Sequence, residues 1–72
     1  MIKIGIIGTG GMGRYHASIL KKMEDVKIVS ACDIDENSLN NFKNEFEVEE
    51  IYKDFKEMLK KSEIDAVICA TP

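Results

Sequence analysis

The sequence has no tryptophan, one proline (its last residue), one histidine and two cysteines among 72 residues. Each scarcity excludes something. Two cysteines 37 positions apart are too few for a disulfide framework, and with a single histidine they form no metal-ligand cluster. No apolar run approaches the ~20 residues that cross a bilayer. The opening Met1-Ile2-Lys3-Ile4 lacks the basic-then-apolar pattern of a secretory leader. Ten basic against 13 acidic side chains leave a net charge of −3, so no broad positive field exists for nucleic acid. A reduced, cytoplasmic protein is expected, with neither membrane nor nucleic acid as partner. Domains commonly run to ~100–150 residues, so this chain is expected to be part of one, with a thin core.

What the sequence does contain is alternation. Ile2-Lys3-Ile4-Gly5-Ile6-Ile7, Val26-Lys27-Ile28-Val29-Ser30-Ala31-Cys32 and Ala66-Val67-Ile68-Cys69-Ala70 are short apolar runs rich in β-branched residues. Near-continuous hydrophobicity suits strands buried on both faces of a parallel sheet. Val48 to Tyr52, interrupted by Glu49 and Glu50, reads as a short edge strand. Between these runs the period becomes helical. Met12, His16, Ile19, Leu20 and Met23 mark the face of a first helix, and Leu39, Phe42 and Phe46 that of a second, capped by Asp35. Phe55, Met58 and Leu59 mark a third. There Asp54 is expected to cap the N3 amide while Glu57 reaches back. The order β-α-β-α-β-α-β predicts an α/β, Rossmann-type fold. Its parallel sheet is of order 3-2-1-4, the first part of a doubly wound domain.

All five glycines fall within residues 5–13, and four of them spell Gly8-Thr9-Gly10-Gly11-Met12-Gly13 between the first strand and the first helix. In a G-x-G-x-x-G loop the first glycine makes the tight turn. The second lets a pyrophosphate approach the backbone, and the third lets helix and strand pack closely. Amides at the helix start, around Gly11 and Met12, would face the anion. A bare loop of this kind is weak evidence, but the strand before it and the helix after it are the context the chemistry needs. Asp33 ends the second strand 20 positions after Gly13, where a carboxylate accepts the hydroxyl protons of an adenosine ribose. The plain structural alternative is a tight turn plus a capping aspartate. A carboxylate repels a 2′-phosphate, and no Lys or Arg lies between residues 28 and 42, so NAD is favoured over NADP. Arg14 is the one reservation, and its simpler reading is a solvated helix residue.

These residues resemble the nucleotide-binding domain of the glucose–fructose oxidoreductase/inositol dehydrogenase (Gfo/Idh/MocA) family. The resemblance runs over the whole chain: Gly8 to His16, with a histidine three residues after the last glycine, then Val29 to Asp35 and Tyr52-Lys53-Asp54-Phe55. It ends with Asp65-Ala66-Val67-Ile68-Cys69-Ala70-Thr71-Pro72, the most particular stretch. The resemblance implies cofactor contacts from Gly8 to Gly13, from Asp33 and Ile34, and from Thr71 and Pro72 on the nicotinamide side. It also implies a parent oxidoreductase acting on a sugar, polyol or related carbonyl compound. The family's catalytic lysine, in a Glu-Lys-Pro motif, and its substrate domain would follow Pro72. Residues 1–72 are therefore expected to be a partial dinucleotide-binding domain, without a catalytic residue or metal.

Other readings remain open. A methyltransferase also uses a glycine loop and an acid after strand two, though it favours G-x-G-x-G and a carboxylate just before the first glycine; here Ile6 and Ile7 precede Gly8. A regulatory module that senses a dinucleotide without turning it over is a second alternative, and a flavoprotein a weaker third. His16 is a tempting general base, but its position on the first helix reads as packing or loop support. Tyr15 and Tyr52 read as packing residues. Cys32 and Cys69 read as small core residues about 9–10 Å apart, on strands flanking the first and beyond disulfide reach. A free fourth-strand edge would make homo-oligomerisation possible.

Overall fold

The computed structural model describes residues 1–71. Its elements are β1 (Ile2–Ile7), α1 (Gly11–Leu20), β2 (Val26–Cys32), α2 (Glu36–Phe46), β3 (Glu50–Tyr52), α3 (Phe55–Lys61) and β4 (Ala66–Cys69). All pairings are parallel and the sheet order is β3-β2-β1-β4, as the alternation predicts. β1 sits centrally, with Ile7 registered against Cys32 on one side and Cys69 on the other.

The two faces of the sheet are unequal. Ile4 and Ile6 of β1 and Ala31 of β2 pack with Ala17 of α1 and with Leu39 and Phe42 of α2, closed by Val48. The opposite face holds Gly5 and Ser30, covered by Met58 of the short α3; a Cβ at Gly5 would lie 3.2 Å from the Met58 methyl. Tight quarters there explain why a glycine is tolerated within β1.

Three sequence expectations shift. In α1 the buried residues are Gly13 and Ala17, whereas Met12 and Ile19 are exposed and Met23 lies beyond the helix end. Helix and strand approach so closely that only small side chains fit between them, and the bulky ones fall on the flank. In α3 only Met58 is buried, with Phe55 and Leu59 about half exposed. Its Asp54 cap accepts from Lys56 N at 3.0 Å, at N2 rather than N3, and Glu57 pairs with Lys61 instead of reaching back. Finally, β3 begins at Glu50, not Val48. Glu47 ends α2 in the left-handed region (φ 54°), and Val48, donating to the Lys43 carbonyl, turns inward as the apolar residue that closes the helix end.

Candidate functional site

The carboxyl ends of β1, β2 and β4 converge, and the chain leaves each by a different device. Gly8 leaves β1 with φ 99°, its N–H bonded to the Cys32 carbonyl at 2.8 Å. That conformation is open to glycine and strained for other residues. A Cβ at Gly8 would also press on the Ala70 carbonyl carbon at 2.9 Å. A Cβ at Gly13 would overlap the Gly8 carbonyl oxygen, so the first and last glycines of the motif serve close packing. A Cβ at Gly10 or Gly11 would meet nothing within 4 Å, since both face open space. α1 starts there with no side-chain cap and no acid in its first turn. Its first internal bond is Arg14 N–H to the Gly10 carbonyl, so the earlier amides are not consumed by the helix.

β2 delivers Asp33 to the same place. Its N–H donates to the Tyr52 carbonyl at 3.1 Å, tying it to the end of β3. Its Oδ2 accepts from both Thr9 N and Thr9 Oγ1 at 2.8 Å, and Oδ1 accepts from Asp35 N at 2.9 Å. Burial disfavours the charged form, but the bonds from Thr9, Asp35 and Ile34 outweigh it and hold the carboxyl below the usual range. Burial pushes the neighbouring Cys32 thiol up, with the Asp33 and Asp54 charges adding to the effect. Beyond β4, the Thr71 hydroxyl meets Cys69 Sγ at 3.5 Å and draws that thiol down.

Between these ends lies a crevice of about 850 Å³ lined by Gly8, Gly10, Gly11, Met12, Asp33, Ile34 and Thr71, together with His16, Ser38 and Cys69. A second cleft of about 450 Å³ adjoins it across Asp33, Ile34 and Thr71 and is bounded by Lys53, Asp54 and Phe55. Seven of the ten residues expected from sequence thus share one crevice. Thr9 and Gly13 do not line it: Thr9 is 1% exposed beneath the loop, and Gly13 is buried against β1. Pro72 lies outside the described residues. His16 lines the crevice and stacks edge-on with Tyr15. Arg14 pairs with Glu45 of α2, which satisfies its charge away from the crevice. Cys32 is buried but Cys69 is exposed, a correction to its reading as a core residue, because no strand among the described residues covers that side of β4.

Sequence reasoning missed Ser38 and Lys53. Ser38 sits in the first turn of α2, its Oγ 2.9 Å from Thr9 Oγ1 and 3.1 Å from the Thr9 carbonyl. The signal was present in the Asp35 cap, whose side chain accepts from Asn37 N and Ser38 N and so fixes that first turn at the sheet's carboxyl end. Lys53 escaped because a search for cations between residues 28 and 42 follows the chain rather than space. Its Nζ lies 3.1 Å from Glu36 Oε2.

With a tight βα turn, open glycines, a bare helix start and an ionised acid after β2, these residues fit a dinucleotide. The family model described as "Oxidoreductase family, NAD-binding Rossmann fold" (Gfo/Idh/MocA) matches residues 2–72. The chain belongs to the Gfo/Idh/MocA oxidoreductase family. It is 36% identical over 67 residues to myo-inositol 2-dehydrogenase of Thermotoga maritima, covering 93% of this chain and 20% of that protein. Scyllo-inositol dehydrogenase from Lactobacillus casei, solved with bound NAD(H) and scyllo-inositol, superposes with a TM-score of 0.93 at 37% identity. That match covers 100% of this chain and 22% of that one. Myo-inositol 2-dehydrogenase from Lactobacillus plantarum gives 0.91 at 40% identity, over 99% of this chain and 21% of that one. The Gfo/Idh/MocA chain is thus an NAD-binding Rossmann unit spanning about a fifth of the length of its relatives. The methyltransferase alternative finds no support. Among the described residues no helix is long and apolar enough to cross a membrane, and no group of three or more His, Cys, Asp or Glu could hold a metal.

Proposed function

We propose that this chain is the dinucleotide-holding part of an NAD-dependent oxidoreductase whose substrate is a polyol or sugar. The carrying observation is the single crevice that gathers Gly10, Gly11 and Met12, the Asp33 carboxylate and Thr71. The free amides at the start of α1 hold the pyrophosphate, with Gly10 and Gly11 leaving room for its approach. Gly8 and Gly13 make that approach possible by seating α1 against β1. Asp33 and Ile34 receive the adenosine ribose and Thr71 the nicotinamide side, while the apolar cleft beside Ile34 and Phe55 takes the adenine. Bound NAD would supply hydride acceptance and return. The residues described here bind and orient it, and the proton-transferring and substrate-binding groups belong to sequence beyond residues 1–72. A cytoplasmic setting agrees with two free cysteines.

The polyol or sugar reading rests on the inositol dehydrogenases among the relatives. Calorimetric titration with NAD, NADP and S-adenosylmethionine checks the cofactor. NAD is expected to bind most tightly, and Asp33→Asn to weaken it about 10–100-fold, the worth of hydrogen bonds to a charged group. A folded chain that gives no heat with NAD, or binds S-adenosylmethionine instead, refutes the reading. β4 is an edge strand, paired only with β1 among the described residues. Its free backbone supports self-association, and a clean monomer in sedimentation at high concentration would count against that.

A further inference from the structure

The direction of the hydrogen bonds beneath the glycine loop is fixed by chemistry. An ionised carboxylate has no proton to give, so at 2.8 Å the Thr9 hydroxyl must donate to Asp33 Oδ2. Its only proton is then committed, so in the 2.9 Å contact between the two hydroxyls Thr9 cannot donate, and any proton there comes from Ser38. The other acceptor within reach of Ser38 Oγ is the Thr9 carbonyl at 3.1 Å. On either choice the Ser38 proton points back at Thr9. The hydroxyl that lines the crevice therefore turns lone pairs outward.

We propose that Thr9 and Ser38 set cofactor specificity: Thr9 holds the Asp33 carboxylate in place, and Ser38 extends its acceptor-only wall. Such a wall takes the hydroxyl protons of a ribose and offers nothing to a 2′-phosphate, whose oxygens are acceptors too. This rests on the reading of Asp33 as the ribose acceptor. Thr9 acts as a positioning residue, since at 1% exposure it touches Asp33 and Ser38 rather than the crevice. With Oδ2 filled twice by Thr9, the carboxylate presents Oδ1, shared with Asp35 N, as its accepting atom. Lys53 lines the adjoining cleft with Asp33, where a 2′-phosphate would recruit it, and Glu36 already pairs with it. The other titratable groups that line the two clefts with Asp33 are Cys32, Asp35 and Asp54, together with His16 of α1 and Cys69 of β4.

The test compares NAD and NADP affinities of the chain by calorimetry, alongside an NMR pH titration of the Asp33 carboxyl carbon. Thr9→Val is nearly isosteric and is expected to raise the Asp33 pKa and reduce the preference for NAD about 10-fold. Thr9→Ser, which restores the hydroxyl, should return both to the original values. Ser38→Ala should reduce the preference by about 3-fold, one neutral hydrogen bond. An unchanged preference and an unmoved Asp33 titration in Thr9→Val overturn the proposal. Should Thr9→Val fail to fold, an unchanged preference in Ser38→Ala does the same. Asp33→Asn separates the two levels of the argument: unaltered NAD affinity there refutes the ribose role itself. Weakened NAD binding in Asp33→Asn, with the preference unmoved in the other variants, refutes only the network.

Discussion

The paired charges at the amino end of the sheet and the Asp33 carboxylate at its carboxyl end are held in opposite ways. At the amino end, Lys3 pairs with Glu63 at 3.5 Å and Lys27 with Glu49 at 3.2 Å, on side chains about half or more exposed. These are solvated partners that neutralise one another, and such pairs contribute little to stability. At the carboxyl end Lys53 and Glu36 form one more such pair, but among the described residues no lysine or arginine bonds the Asp33 carboxylate; it is held by Thr9, Ile34 and Asp35. Amides and a hydroxyl keep the charge ionised without cancelling it. A binding site needs the second arrangement, a charge that is oriented and still available.

Substitutions at the two ends should differ accordingly. The largest effect is expected from Gly13→Ala, whose methyl would collide with the Gly8 backbone. A loss above ~3 kcal/mol in urea unfolding is expected, because the overlap is with backbone that cannot rotate away. Next comes acid. Asp33 has a folded pKa below its unfolded value of ~3.9. Its contribution is fully present above that value and is lost as the pH falls through the folded pKa. Unfolding at pH 7 and pH 3 should therefore show a larger acid loss for the original chain than for Asp33→Asn, and equal losses would remove the carboxylate from the account.

Between the two ends, Ser30 is fully buried in β2 and its hydroxyl has no hydrogen-bond partner among the described residues. Ser30→Ala removes an unsatisfied group and is expected to stabilise by about 1 kcal/mol in thermal melts. The smallest effect belongs to the amino end. Lys27→Ala should change stability by no more than ~0.5 kcal/mol and leave NAD affinity unaltered; a large change in either would break the contrast.

Much of this arrangement was legible in the sequence, for physical reasons. In β1 the middle residues Ile4, Gly5 and Ile6 are buried on both faces of the sheet, so the run that contains them is nearly unbroken in hydrophobicity and readily recognised. The glycine motif was legible because close approach leaves few alternatives: Gly8 needs a positive φ and Gly13 needs contact with backbone. What was hidden depended on space rather than spacing. Met12, Ile19 and Met23 have helical period, yet the side that meets β1 is chosen by small size, at Gly13 and Ala17. Val48 has strand propensity, but the left-handed turn at Glu47 diverts it to close α2. Ser38 and Lys53 reach the site by crossovers of the chain, which periodicity along one element does not report.

The most direct test of the central claim is a map of amide shift changes as NAD is added to the isotopically labelled chain. The account predicts saturable changes at Gly8 to Gly13, at Asp33 and Ile34, and at Thr71, with Lys3, Lys27 and Glu63 at the amino end unmoved. Changes centred on the amino end of the sheet, or a folded chain with none at all, would contradict it.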